Sequence, residues 1–372
     1  MKLIEHPLPA ILQKADSTEF VPTQQAADFR VQTIDPVRNK NWEDQAGHFP
    51  AYSLFHSAAW ARVLQKTYAF TPTYFVKGEG KVPEAMLPVM EVNSWLTGRR
   101  GISLPFTDDC TSLGLNSESV RHLFWEAVRF GKERNWKYLE CRGGREWLPE
   151  ACASLSFYGH ILELKPDEEL MFAALDPSVR RAIRKGRKDG IRVEVSDSLE
   201  AVRLFYALLC KTRRKHGLPP QPFKFFENIY DEIISKQMGK VVTAMYGQKP
   251  IAAGVYFQAN EKGIYKYGAS DEAFQHLRGN NLVMWEAIKW HLQHGFKSLH
   301  MGRTSIGNEG LRKFKLGWGC EEHQVEYIKY DLRKQKFVQD KDEAFGWHNT
   351  LFRCMPGFLS KVAGALLYKH VA

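Results

Sequence analysis

The sequence predicts a mixed α/β (α+β) fold built as two tandem units. Three observations carry that expectation. The chain has 372 residues, too many for one ordinary core. Each half runs in the order strand, helix or helices, antiparallel hairpin, strand, helix, strand. Consecutive strands between the helices favour a mixed central sheet over a doubly wound parallel one. The repeat is one of element order, with no visible sequence identity between the halves. The predicted organisation is a loosely ordered leader over 1–26, a first domain over 27–165, a second over 166–330, and a helical tail over 331–372.

Element by element, Phe29–Ile34 is predicted as the first strand and Ser57–Tyr68 as a helix with Ser57 as its N-cap. Thr73–Val92 reads as a hairpin about Gly78-Glu79-Gly80. Ser117–Arg134 is an amphipathic helix capped by Ser117, burying Val120, Phe124, Ala127 and Val128. Lys137–Cys141 and Ser156–Leu164 are strand-like. In the second half, Pro177 in the first turn marks the start of a helix over Asp176–Lys188. Ile191–Val195 alternates as a strand. Helices follow over Ser198–His216, stopped by Gly217 and Pro219-Pro220, and over Phe223–Lys236. Val241–Tyr246, Ile251–Phe257 and Ile264–Tyr267 are strands separated by turns at Gly247 and Gly263.

The chain is organised around Gly263–Gly319. There a strand leads through a polar loop into a helix from about Asn281, with Leu282, Trp285, Ile288 and Leu292 on one face. The strand Ser298–Met301 then enters Gly302-Arg303, and a glycine-spaced, cationic loop carries Phe314-Lys315. Such a frame suits an anionic or acyl-transfer substrate. A lysine beside an aromatic residue in a water-poor turn can stabilise an oxyanion, although residue type alone favours a surface lysine. Asp271 and Glu286 are the carboxylates considered as a base. Glu322–Tyr330 is the last strand. In the tail, Phe358, Val362 and Leu366 share a helical face, predicted to dock on the body, with membrane-surface contact the lesser expectation.

The formal charge of +10 fits a polyanionic partner such as tRNA, a phosphorylated head group or an anionic membrane surface. It fits equally a basic protein without one. Its densest expression is the helix carrying Arg180, Arg181, Arg184, Lys185, Arg187 and Lys188, read as an anion- or tRNA-binding face because acidic i,i+4 partners look absent. The six cysteines are scattered and include no CxxC, which argues against a metal site and a disulfide framework and for reduced thiols in a cytoplasm. No secretory signal and no run of about eighteen apolar residues is present. The expected location is cytoplasmic, with any contact at the inner face of the cytoplasmic membrane peripheral. The sequence shows no GxSxG, Walker loop or HExxH.

Five stretches, SVRRAIRKGRKDGIRVEV, KHGLPPQPFKFF, YKYGASDEAFQHLRGNNLVMWEAIKW, the strand into Gly302-Arg303, and LRKFKLGWG, resemble in this order the FemABX-like proteins and their BioF2-like relatives. The resemblance covers roughly Phe55 to Tyr330 and the C-terminal helix. It implies two tandem GNAT-like (acyl-CoA N-acyltransferase-like) domains and an acyltransferase that acts on an amine of a cell-envelope precursor, peptidoglycan-bridge-like or exopolysaccharide-linked. It also implies aminoacyl-tRNA as co-substrate and no tightly bound cofactor, with acyl-CoA as the alternative donor. Neither DNA nor a metal is expected. The family's Phe-Lys pair falls on Phe314-Lys315. Its acceptor-phosphate lysine falls on Leu64, flanked by Arg62 and Lys66, and a phosphate-binding arginine falls on Gln221. Arg303 and Tyr267 complete the expected substrate-binding set. The pyrophosphate loop of acetyl-CoA users is degenerate at Arg278-Gly279-Asn280-Asn281. A non-catalytic scaffold with a degenerate fold is the alternative from another class.

Overall fold

A computed structural model describes residues 31–78, 82–340, 352–353 and 355–370. The expected leader, the Glu79-Gly80 turn and Cys354 lie outside the described residues. The first half contains β1 (Val31–Ile34), α1 (Trp42–Gly47), α2 (Ala58–Tyr68), β2 (Thr71–Pro72), β3 (Tyr74–Lys77), β4 (Ala85–Leu87), β5 (Met90–Ser94) and β6 (Gly98–Ser103). It continues with β7 (Leu113–Gly114), α3 (Ser117–Glu133), β8 (Tyr138–Arg142) and β9 (Leu155–Glu163). The second half contains α4 (Glu168–Ala174), α5 (Pro177–Lys188), β10 (Arg192–Ser196), α6 (Leu199–Lys215), α7 (Phe223–Ile229), β11 (Gly239–Tyr246), β12 (Lys249–Ala259) and β13 (Lys262–Ser270). After these come α8 (Gly279–Gln293), β14 (Ser298–Ser305), α9 (Glu309–Leu316), β15 (Glu321–Asp331), β16 (Lys336–Phe337) and α10 (Gly357–Leu367).

Local chemistry starts and stops these elements. The Ser57 hydroxyl accepts from Trp60 N at 3.2 Å and caps α2, as expected. The cap of α3 is Asn116 instead of Ser117, its Oδ1 accepting from Ser119 N at 2.8 Å; the amide reaches the third helical N–H from one residue further out. Asp176 caps α5 ahead of Pro177. Pro222 precedes α7, which widens into a π-turn over Tyr230–Ile234, so the helical stretch runs to within two residues of the expected end at Lys236.

The strands make a small sheet, β1-β3-β4-β7, and one long sheet ordered β10-β11-β12-β13-β14-β9-β15-β8-β6-β5-β2. The two halves share that long sheet by exchanging strands. β9, from the first half, pairs antiparallel with β14 of the second. β15, from the second half, lies between β9 and β8. The expected boundary at 165/166 separates the halves along the chain, but in space the sheet runs through it. Cores on both sides reinforce this. One apolar cluster joins Trp60, Leu64 and Phe70 to Phe205, Phe225, Ile233 and Phe257, burying aromatic surface from both halves together.

Each half contains one parallel pair flanked by antiparallel neighbours. β6 and β8 are parallel over Gly101–Ser103 and Leu139–Cys141, with α3 crossing between them. β13 and β14 are parallel only over Lys262–Ile264 and Ser298–His300, with α8 between. Beyond these residues the register ends and the two strands separate. The β14–β9 register also shifts between His300 and Arg303, a bulge at Met301-Gly302.

The tail helix corrects the expectation. α10 docks through its small residues, with Ser360 and Gly364 buried. Phe358, Val362 and Leu366 are exposed. A methyl group at Gly364 would overlap the Pro220 carbonyl, so the helix sits too close to the body for a larger residue to face inward. Tyr368 anchors the end, its hydroxyl donating to the Pro219 carbonyl at 3.2 Å.

A buried carboxylate ties the hairpin β5–β6 to the end of α3. Glu91 is 5% exposed and accepts from Arg134 at 2.9 and 2.8 Å and from Trp136 Nε1 at 2.7 Å. Replacing Glu91 with Ala orphans the indole N–H and the guanidinium and should cost about 2–3 kcal/mol. Urea unfolding of the two proteins at neutral pH checks this, and an unchanged midpoint would refute it.

Candidate active site

Where β13 and β14 part, their side chains meet the loop after β6. Asp108 sits in that loop and pairs with Lys266 of β13 at 2.8 Å, Lys266 being 5% and Asp108 23% exposed in their side chains. Burial works against the Asp108 charge, but Lys266, Arg303 and Lys315 together overcome it and hold the carboxyl below its ordinary value. Lys266 is itself pulled down by burial, which Asp108 opposes. The exchanged strands shape this ground. From β15, the Tyr327 hydroxyl donates to the Asp108 carbonyl at 2.7 Å and pins the loop. The Arg303 guanidinium stacks 4.0 Å from the Phe157 ring of β9 and 5.0 Å from that of Tyr327. Gly302 has φ +67 and faces Asp108 so closely that a Cβ would lie 3.1 Å from its Oδ2, which is why a glycine stands at the bulge.

Lys315 comes in from behind the bulge. The expected cationic loop is the helix α9, capped by Asn308, and the end of the strand extends to Ser305, so Gly302-Arg303 is strand and not loop. A lysine at the helix's last turn thereby points at the strand beside it. Lys315 is 2% exposed, and its Nζ donates to the carbonyls of Gly302 at 2.9 Å and Arg303 at 3.0 Å. An ammonium carries three N–H groups, so one remains beyond these two bonds. Burial pulls the amine down to about 8, with Lys266 adding to the drop and Asp108 and Cys320 resisting it. Phe314 faces the other way, edge-on to Trp318 with ring centroids 6.0 Å apart. It also lines a second hollow beside Phe274 and Arg278–Asn281, where α8 begins. Arg278-Gly279-Asn280-Asn281, read from the sequence as a degenerate loop, follow a 3₁₀ turn over Glu272–Leu277, with Arg278 at φ 62 and Gly279 opening α8.

In front of the bulge is a cavity of about 90 Å³ between the halves, lined by Tyr52, His56, Asp108, Asp109, His300, Gly302, Arg303 and His323, among others. Burial holds His56 and His300 near 4, so both are neutral at pH 7. Asp109 is exposed to solvent, with protein mass packed close around it. That surrounding mass, then Glu146 and Asp108, push its carboxyl up to about 7. Gly143, at φ +97, leaves room for it, since a Cβ there would overlap Asp109 Oδ1. The arrangement offers positive charge from Arg303 and Lys315 on one side of a small cavity and a carboxyl that titrates near neutrality on another.

The remaining sequence-predicted residues lie elsewhere. Arg62 and Lys66 on α2 both pair with Glu232, at 2.8 and 2.5 Å, joined by Lys236 at 2.7 Å. Burial opposes the Glu232 charge, but these three cations bring it down to about 2. Gln221 is 3% exposed, its Nε2 donating to the Tyr68 hydroxyl at 3.4 Å. Tyr267 packs among Phe205, Phe226 and Phe257, facing away from the cavity. On α5, the basic residues are exposed apart from half-buried Arg180. Two find acidic partners after all, Lys185 with Asp189 at 2.6 Å and Arg187 with Glu286 at 3.4 Å. Arg184 lies 5.4 Å from the Phe172 ring. Arg181 and Lys188 show no ion pair among the described residues. Asp271 and Glu286 are not near the bulge charges: Asp271 pairs with Lys211 at 2.6 Å, and Glu286 with Arg187 and Lys289. Sequence reasoning missed Asp108, Asp109 and Lys266. The doublet Asp108-Asp109 after a strand end, close behind Pro105, was its one visible signal.

A short parallel pair with a helix crossing between its strands appears once in each half, in the second half with a bulge beside it, and this is the arrangement of a tandem GNAT fold. Residues 177–323 match the acetyltransferase (GNAT) domain family. The aminoacyltransferase FemA of Staphylococcus aureus is 31% identical over 97 residues, which span 24% of this chain and 23% of that protein. The chain thus matches less than a quarter of that relative's length. The crystal structure of FemX superposes with a TM-score of 0.64 at 14% identity, covering 82% of this chain and 98% of that one. A tandem GNAT protein from the clavulanic acid biosynthesis pathway superposes with a TM-score of 0.54 at 10% identity, covering 82% and 99%. Residues 177–323 thus carry a GNAT acetyltransferase-type domain, and the chain as a whole has the tandem GNAT fold seen in FemX.

Because the native Lys315 amine is depressed to about 8, the unfolded chain holds a proton that the native protein lacks between pH 8 and the ordinary lysine value of about 10.4. Stability contributed through this group therefore rises with pH across that window. The variant Lys315→Met should flatten the rise relative to wild type in urea melts taken from pH 7.5 to 10 (about half-unit steps suffice to resolve a slope change). Parallel pH profiles would refute the assignment.

Proposed function

We propose that this protein transfers an aminoacyl group from an activated ester on aminoacyl-tRNA to an amine of a cell-envelope precursor, peptidoglycan-bridge-like or exopolysaccharide-linked. The observation that carries the reading is the concentration of buried positive charge at the β14 bulge, opposite a carboxyl poised near neutrality. In the reaction, the acceptor nitrogen adds to the ester carbonyl and the former carbonyl oxygen takes up negative charge. Arg303 faces that charge at the cavity wall, and Lys315 supports it from behind the bulge. Asp109 accepts the proton leaving the amine. The C–O bond then breaks, and the ester oxygen departs as a hydroxyl by taking the proton that Asp109 had accepted. Much of the acceleration comes from holding the two reactants together. The exposed basic residues of α5 support tRNA as the donor's carrier, because its contacts are with a phosphate backbone. The protein is proposed to work in the cytoplasm, peripherally at the inner face of the cytoplasmic membrane. No helix among the described residues is long and apolar enough to cross a membrane.

A second reading takes acyl-CoA as donor. The hollow at the start of α8, bounded by Phe314 and Arg278–Asn281, and the match to an acetyltransferase domain favour it. The two readings separate on binding. Charged tRNA should bind with a salt slope of several phosphates, weakened in common by Arg181→Gln and Lys188→Gln, whereas acyl-CoA should be insensitive to both. A slope near zero for tRNA would remove it as donor.

The rate of transfer should follow a bell in pH, rising through about 7 as Asp109 loses its proton and falling above about 8 as Lys315 loses its own. Asp109→Asn should abolish the acid limb and lower kcat by about 10²-fold. Lys315→Ala should lower kcat by about 10²-fold and abolish the alkaline limb. Full activity of a folded Lys315→Ala protein would rule out the role given to it.

A further inference from the structure

On most surface helices the apolar stripe faces the body and the polar side faces water. α10 reverses this. Its inward face is Ser360 and Gly364, both buried, while Phe358 is 68%, Val362 54% and Leu366 67% exposed, with Leu359 beside them. The patch continues onto the tip of the β5–β6 hairpin. Trp95, 85% exposed, stands edge-on to His370 with ring centroids 5.5 Å apart, one turn past Leu366, and Leu96 next to it is 55% exposed. Two independent segments of chain, joined at buried His370, thus each expose large apolar side chains. The placement is held firmly: Arg100 Nη2 and Thr97 Oγ1 donate to the His370 carbonyl at 2.8 and 2.9 Å, and Ser94 Oγ lies 2.8 Å from His370 Nδ1.

Charge identifies the occupant. From Met355 to His370 the chain carries Lys361 and Lys369 and no Asp or Glu, and both lysines are exposed. The C-terminal turn of α6, the helix against which α10 packs, adds Arg213 and Arg214, while Lys215 there is paired with Glu272 at 2.7 Å. An apolar helix face with an outlying tryptophan and phenylalanine, flanked by cations without acids, matches the boundary between anionic head groups and acyl chains. We propose that α10 and the β5–β6 hairpin tip form a docking face for an anionic lipid surface. The helix would lie in the interface plane, with its apolar side chains among the acyl chains and Lys361 and Lys369 at the head groups. This deepens the peripheral membrane placement proposed above, but it rests on the exposed patch and not on the transfer chemistry.

The test uses the full chain and vesicles of phosphatidylcholine with and without about one third phosphatidylglycerol, read by co-sedimentation. Wild type should sediment with the anionic vesicles at least tenfold more strongly than with neutral ones, and the bound fraction should fall as salt rises from about 0.05 to 0.5 M. Trp95→Ser with Leu366→Ser should reduce binding at least tenfold while leaving the circular dichroism spectrum unchanged, since both side chains are exposed. Lys361→Gln with Lys369→Gln should weaken binding and its salt dependence together. Wild type that stays in the supernatant with anionic vesicles, or a serine variant that binds as wild type does, would overturn the proposal. So would a wild-type dimer in sedimentation equilibrium that the serine variant dissociates, since the patch would then belong to a second copy. Acyl transfer to a soluble acceptor is read separately and should be unchanged in the serine variant, so a failure here is distinguishable from a failure of the transfer reading.

Discussion

Everything at the candidate site depends on the exchange of β9 and β15 between the halves. A strand contributes backbone hydrogen bonds to whichever neighbour it lies beside, and here each half's last strand completes the other's sheet. The cavity is consequently not a surface of either half. Phe157 of β9 supplies the ring under Arg303, and Tyr327 of β15 holds the Asp108 loop. Lys266 of β13 meets a carboxylate that lies 158 residues earlier in the chain. Separation of the halves would expose these charges and lose their partners at once. The shared sheet therefore serves both stability and electrostatics.

The charges are arranged so that burial and pairing oppose each other. A lone buried ion is costly. Asp108 is held ionised by three cations, and Lys266 by Asp108, while Lys315 is steadied by two carbonyls and still gives up part of its basicity to burial. The result is a neighbourhood with more positive than negative charge, next to Asp109, whose own environment pushes the other way. Groups driven apart in this manner are suited to acid–base work and to meeting a developing anion. The Glu232 cluster on the far side of α2 shows the contrasting outcome. There three cations surround one carboxylate at short range, and Arg62 and Lys66 are occupied in joining α2 to the π-turn after α7.

Much of the architecture was legible in the residues. The order of strands and helices, the cap at Ser57, the helix start marked by Pro177, the buried face of α3 and the run from β13 to β14 all follow from local periodicity and turn chemistry. The departures have local causes too. Asn116 out-competes Ser117 as a cap, and the Phe314-Lys315 stretch, read as a loop because glycines bound it, becomes a helix once Asn308 caps it. At α5 the basic face was read as lacking acidic i,i+4 partners, but Asp189 lies just beyond the helix and Glu286 arrives from α8. At α10 the apolar stripe was read as the docked face, yet glycine and serine permit a closer approach than leucine, and the packing distance decided the orientation.

Taken alone, the sequence determined the class of fold, the tandem plan, the cationic character and the choice of Lys315 as the candidate for the proposed transfer chemistry. These are properties of periodicity, composition and short motifs, which act over a few residues. Only the tertiary structure decided that the halves exchange strands, that Lys315 turns inward to the Gly302 and Arg303 carbonyls, and that Asp108, Asp109 and Lys266 belong to the same site. It also decided that Arg62, Lys66, Gln221 and Tyr267 face other partners. Contacts of that kind link residues a hundred or more positions apart. Their energies depend on burial and on distance to charge, and neither quantity exists until the sheet has closed.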